Sequence, residues 1–267
     1  AYFICNFKPD LIVDAAAKVG GIGANNTYPV EFMLNNINIQ NNLMEAAHAA
    51  DVSKFIFLGS SCIYPRSCPQ PIKEEYLLTG HLEKTNSAYA IAKIAGIELI
   101  NSYRKQFGKK WISIMPTNLY GPNDNFQYPG SHVVPALIRR FVEATYLNKS
   151  TETLWGSGTP LREFLYVDDL SEAILTLIRS DTNVELFNIG SGTEISIMEL
   201  SYLIAEETGF RGTILWDESQ PDGTPRKILD SSKIKQLGWK PKTPLNFGVR
   251  QTVIWFKEAL KYGNARV

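Results

Sequence analysis

The chain has 267 residues, 27 basic and 27 acidic side chains, and 44% hydrophobic residues, enough apolar material for one large domain or two modest ones. A formal charge of zero, with no long basic run, argues against nucleic acid as a partner. The best early apolar run, LIVDAAAKVGG, is broken by Asp14 and Lys18 and falls short of the roughly 18 residues that a membrane span needs.

Taken in chain order, LIVDAAA (11–17) reads as a strand buried on both faces. An amphipathic segment over 28–50, with Pro29 in its first turn, predicts a helix. KFIFLGS (54–60) predicts a second strand. A helix over 87–107 ends before Gly108, and WISIMPT (111–117) predicts a third strand. Strands alternating with crossovers this long imply right-handed βαβ units and a doubly wound α/β parallel sheet. After Pro116, NLYGPNDNFQYPGSH and WGSGTPLREF read as loops punctuated by Gly, Pro and Asn. Helical patterns follow at 132–147, 168–180 and 196–208, with short strands at ELFNIG (185–190) and TILWD (213–217), and a last helix over 245–262. The expected organisation is a doubly wound lobe over 1–130 with returning elements near 165–190. A smaller α/β lobe is expected over 131–164 and 191–267.

Tyr89 and Lys93, in SAYAIAK, lie one turn apart on one helix face. A free phenol titrates near pH 10, too high for proton transfer at neutrality. A neighbouring ammonium would bring it down. The same spacing also describes a half-buried ring beside a solvated lysine. Gly59, Ser60, Ser61 and Cys62 close the second strand at its carboxyl end, where open α/β sheets place ligands. A serine there also serves as an ordinary turn cap. A strand ending in GSS, then YxxxK, then a strand ending in PTNLYGP is far more specific than any one part. Three cysteines (Cys5, Cys62, Cys68) without paired spacing predict neither a disulfide framework nor a metal site, and favour a reducing, cytoplasmic compartment.

GSSCIYP, YAIAK, MPTNLYGP and WGSGTPLREF resemble the extended short-chain dehydrogenase/reductases that act on nucleotide sugars. AAAKVGGIGANN, NLYGPNDNF, SHVVPALIRRF and PDGTPRK narrow the similarity to the NADPH-dependent branch that epimerises GDP-4-keto-6-deoxy-D-mannose at C3 and C5 and reduces it at C4 to GDP-L-fucose. The resemblance implies a Rossmann-type fold with NADP(H) as cofactor. Tyr89 would protonate the C4 oxygen, Ser60 would hold it, and Lys93 would tune Tyr89 and bond the nicotinamide ribose. Cys62 and His132 would be the epimerisation acid/base pair. Leu58, Gly59, Ser60, Ser61, Lys93, Pro116, Thr117, Asn118, Leu119 and His132 would line the cofactor. Arg140, Trp155, Arg162, Asp222 and Lys227 would hold the GDP-sugar. Helices 28–50 and 87–107, apolar on more than one side, would form a homodimer interface; the alternative is thick packing on the sheet. His48, His81, Cys5 and Cys68 have no catalytic counterpart.

The sequence departs from the family in one respect. GGIG at 20–23 lacks the GxGxxG spacing of a dinucleotide fingerprint. The resemblance implies that this fingerprint belongs to an opening unit of about 40–50 residues before Ala1, without which LIVDAAA would be an open edge. Competing readings are an NAD-dependent nucleotide-sugar 4-epimerase or 4,6-dehydratase, or a non-catalytic dinucleotide-sensing protein of the same fold. A dehydratase would carry an Asp–Glu pair where this chain has Ser61–Cys62.

Overall fold

The computed structural model describes residues 2–128, 130–220 and 222–267, and only the backbone of Ile22; Pro129, and Pro221 of PDGTPRK, lie outside the described residues. A short helix α1 (Tyr2–Phe7) opens the chain. It is followed by β1 (Leu11–Asp14), α2 (Ile22–Thr27), α3 (Pro29–Ala49), β2 (Lys54–Leu58), α4 (Ser87–Phe107) and β3 (Ile112–Pro116). Then come β4 (Asn118–Tyr120), α5 (Val133–Tyr146), β5 (Thr151–Trp155), β6 (Leu161–Tyr166), α6 (Val167–Arg179) and β7 (Leu186–Ile189). β8 (Glu194–Ser196), α7 (Ile197–Thr208), β9 (Thr213–Asp217), β10 (Arg226–Lys227), α8 (Ser232–Gln236) and α9 (Leu245–Lys261) complete it.

The main sheet runs β1-β2-β3-β7, all parallel, as the strand–helix alternation predicts. β2 shows why it is buried on both faces. Phe55 and Phe57 point to one side, where they meet Ile97, Ile100 and Trp111, while Ile56 points to the other, against Leu170, Leu177 and Phe187. The first cluster lies under α3 and α4, which pack on each other; Gln40 Nε2 donates to the Ala92 carbonyl at 2.7 Å. Gly96 permits this approach, because a Cβ there would lie 2.5 Å from the fully buried Phe57 ring. α4 ends where Gly108 takes a left-handed φ of 67°, a conformation open to glycine at little cost.

The second lobe is built on α5, α7 and α9, with Phe141, Phe164, Leu200, Ile204 and Phe256 at its centre. β6 anchors it, parallel to β4 and β10 and antiparallel to β8, and β5 pairs with β9. Two expectations are corrected here. NLY and LREFLY are strands β4 and β6, not loops; their neighbouring Gly and Pro end the elements without preventing them. β1 stops at Asp14, not Ala17, because the Ala16 N–H donates to Asp14 Oδ1 at 3.1 Å and turns the chain. GGIGANNT is also more than a glycine loop. Ile22–Thr27 is a helical turn, and Asn25 Nδ2 bonds the carbonyls of Gly20 and Gly21 beneath it. β1 stands at the sheet edge with Val13 37% exposed.

Candidate active site

The carboxyl ends of β2 and β3 and one face of α4 converge on a single point. The Gly59 N–H donates to the Ile114 carbonyl at 2.8 Å, extending the ladder past β2. Ser60 then stays extended and starts a tight turn over Ser61–Ile63, with its Oγ accepting the Cys62 N–H at 3.3 Å. The serine is therefore a turn cap, and its hydroxyl also interacts with the Tyr89 phenol. Cys62 faces the same phenol. Pro116 and Thr117 are buried at the end of β3, and Asn118 and Leu119 are partly exposed.

Tyr89 and Lys93 are buried, at 9% and 3% exposure. The bland reading of a solvated lysine is thereby removed. Lys93 Nζ donates to the Leu58 carbonyl at 2.8 Å and sits 4.7 Å above the Phe57 ring. Burial pulls its pKa down to about 8, against the charge of Asp14, which holds it up. Tyr89 behaves differently from the expectation. Burial pushes its phenol above the usual value, and the Ser60 hydrogen bond only partly offsets this. Lys93 spends its ammonium on Leu58 and Phe57 and does not pull the phenol down, so Tyr89 stands as a protonated acid.

Across from this cluster, Lys227 Nζ donates to Cys62 Sγ at 3.7 Å. The same ammonium acts on His132, the residue before α5. His132 keeps solvent access at the residue level, yet enough protein surrounds the imidazole that desolvation lowers its pKa. Lys227 lowers it further and Asp124 opposes both. The loop before His132 is held by the glycine loop: the Gly21 N–H donates to the Gly130 carbonyl at 3.2 Å, and a Cβ on Gly21 would lie 3.0 Å from the Ser131 carbonyl oxygen. Asn36 pins the start of that loop through both backbone groups of Lys18, at 3.0 Å each.

Arg162 is next to Lys227 by strand pairing. Its Nη1 donates to the Leu161 carbonyl, and burial lowers its pKa against the charge of Asp222. Asp222 accepts from the Ser157 N–H and hydroxyl and so shapes the turn after Trp155. Arg140 and Trp155 border a cleft of about 340 Å³ with Phe126, Tyr128 and Arg139. Trp155 is 65% exposed, so a ring face is available for packing. Arg140 is engaged with Glu152 at 2.6 Å and with the Thr153 carbonyl, and Arg139 with Glu143 and the Phe126 carbonyl.

The sequence profile of the NAD dependent epimerase/dehydratase family matches residues 2–190. The chain belongs to that family. Within this family it is 55% identical over 251 residues to probable GDP-L-fucose synthase 1 of Oryza sativa subsp. japonica, covering 94% of this chain and 76% of the relative. It is 49% identical over 265 residues to the GDP-L-fucose synthase of Escherichia coli (strain K12), covering 96% and 83%. The crystal structure of a GDP-L-fucose synthetase from Naegleria fowleri bound to NADP superposes with a TM-score of 0.88 at 30% identity, covering 99% of this chain and 81% of that one.

Sequence reasoning passed over two family-site neighbours. Asp14 is a lone acid in a strand. Glu163 is fully buried, accepting from the Gly192 N–H at 2.6 Å and the Leu229 N–H at 3.0 Å, while its carbonyl accepts from Thr117 and Asn118. His48 packs at a tilt against Tyr103 and Phe107, and the partly buried Cys68 packs against the first core cluster.

Proposed function

We propose that this chain is a GDP-L-fucose synthase: it epimerises GDP-4-keto-6-deoxy-D-mannose at C3 and C5 and reduces C4 with NADPH. The observation that carries the reading is one constellation in which the partly exposed Ser60 and Cys62 come up to the buried Tyr89, flanked by Lys93 on one side and by Lys227 and His132 on the other. The half-identity to curated synthases supports it.

The residues fit the nicotinamide end of the cofactor. Lys93 spends one N–H on Leu58 and an ammonium has three, so donors remain for a ribose diol. Leu58–Ser61 and Pro116–Leu119 would line that end, His132 would border it, and bound NADPH supplies the hydride for C4. Tyr89 holds the proton destined for the C4 oxygen, and Ser60 orients that oxygen. The 4-keto group acidifies the protons at C3 and C5, so Cys62 and His132 can remove one and return it on the opposite face. Lys227 places its ammonium 3.7 Å from the sulfur. Arg162, Lys227 and Arg140 would grip the diphosphate, with Arg140 first exchanging its bond to Glu152; Trp155 and Asp222 would bound the substrate.

Residues 1–130 with 165–190 would form the cofactor lobe, and 131–164 with 191–267 the substrate lobe. Among the described residues no helix is long and apolar enough to cross a membrane. The three free cysteines suit a reducing, cytoplasmic setting. The helices predicted for a homodimer interface expose Val30 and Leu34 on α3 and Ile91 on α4, beyond what packing on the sheet uses. Sedimentation velocity should therefore show a dimer at micromolar protein; a monomer across that range would remove the interface.

The reaction itself is tested by supplying GDP-4-keto-6-deoxy-D-mannose and NADPH, following absorbance and identifying the sugar. NADPH oxidation with GDP-L-fucose as product is expected. Silence with that substrate, together with NAD-dependent interconversion of UDP-glucose, would replace the synthase by a 4-epimerase.

A further inference from the structure

We propose that Asp14 is a positioning residue of this site, a buried counter-ion that keeps the Lys93 ammonium charged and aimed at the cofactor ribose. Asp14 is the last residue of β1, 2% exposed, and paired in register with Phe57 on β2. Lys93 Nζ lies over that Phe57 ring and bonds the next carbonyl, Leu58. The two side chains thus reach the same place from opposite elements. Asp14 uses Oδ1 to hold the Ala16 N–H, while Oδ2 is buried with no hydrogen-bond partner. An unpaired buried carboxylate oxygen is unfavourable unless a positive charge acts on it, and Lys93 supplies that charge.

The surroundings leave Asp14 without a rival. α4 adds the neutral phenol of Tyr89, β2 adds the Phe57 ring and Leu58 carbonyl, and α3 adds the neutral amide of Gln40. Each group is shifted by burial and partly restored by the other: Asp14 is raised by burial and lowered by Lys93, and Lys93 is lowered by burial and raised by Asp14. The ammonium therefore depends on Asp14 to remain protonated at working pH. The sign follows. Lys93 loses its proton as pH rises through about 8, so kcat should fall on the alkaline side, and removing the carboxylate should move that fall to lower pH.

This inference rests on the reductase reading above. The test is the kcat and KM pH profile of the wild-type protein with NADPH and the 4-keto sugar, beside Asp14→Asn and Asp14→Leu. Both variants should move the alkaline limb down by about one pH unit and lower kcat at pH 8 about fivefold, with KM for the GDP-sugar nearly unchanged. Folded variants that keep the wild-type limb would overturn the role of Asp14, even if they were less stable. If one variant fails to fold, the other decides. A wild-type protein that turns over no keto sugar would instead overturn the functional reading, so the two failures are distinguishable.

Discussion

Tyr89→Phe should lose C4 reduction by a factor of about 10²–10⁴, the range for removing a placed general acid, while proton exchange at C3 and C5 continues. The phenol is buried, lies above its usual pKa and meets the Ser60 hydroxyl. It is therefore a proton donor at neutral pH, as reduction of a ketone requires. Deleting one oxygen leaves the ring edge-on to Phe32 at 6.3 Å, so the helix and its lysine stay in place. Two readouts separate the steps: NADPH oxidation reports reduction, and deuterium uptake from heavy water reports the acid/base pair. A variant that still reduces within tenfold of wild type would remove Tyr89 as the donor.

Cys62→Ser should produce the opposite imbalance. The Lys227 ammonium lies 3.7 Å from the Cys62 sulfur, and the proposed function makes this thiol an acid/base group for C3 and C5. A hydroxyl of similar size keeps the turn but is a far weaker acid than a thiol and yields little anion at neutral pH. Exchange at C3 and C5 should fall by about two orders of magnitude or more. Reduction should persist on sugars that keep the starting configuration at one or both carbons. Equal loss of exchange and hydride transfer would show that Cys62 supports the site as a whole and does not act at those carbons.

Much of this was legible in the residues because local signals and long-range packing agree. α3 and α4 match their predicted spans closely, since Pro29 and Gly108 mark ends that the backbone itself enforces. α7 does so through a reciprocal cap between Ser196 and Glu199. The second lobe was harder. β4, β8 and β10 are strands of two or three residues defined by pairing with β6, and hydrogen bonds between distant segments leave no local pattern.

The site shows the same division. Tyr89, Lys93 and Ser60 stand out by their spacing after a strand, whereas Cys62 is marked only by the family resemblance. Asp14 and Glu163 had no such context, because an isolated acid in an apolar run reads as an interruption. The tuning of Tyr89 was misjudged for a related reason. Spacing on a helix places a lysine near a tyrosine, but burial and a competing carbonyl decide what the ammonium does.

The shared carboxylate of Glu163 has a mechanical corollary. It ties the loop after β7 to the segment just beyond Lys227, while its own carbonyl holds the turn at Thr117 and Asn118. The segments beside Thr117, Asn118 and Lys227 are thus tied together by one fully buried residue. Tyr128 and Trp155, by contrast, line the cleft beside Arg140 and stand 68% and 65% exposed. On the proposed function, a bulkier or differently shaped nucleotide would be met by side-chain rearrangement at Tyr128 and Trp155, whereas a change at the sugar carbons would meet the segments that Glu163 ties together.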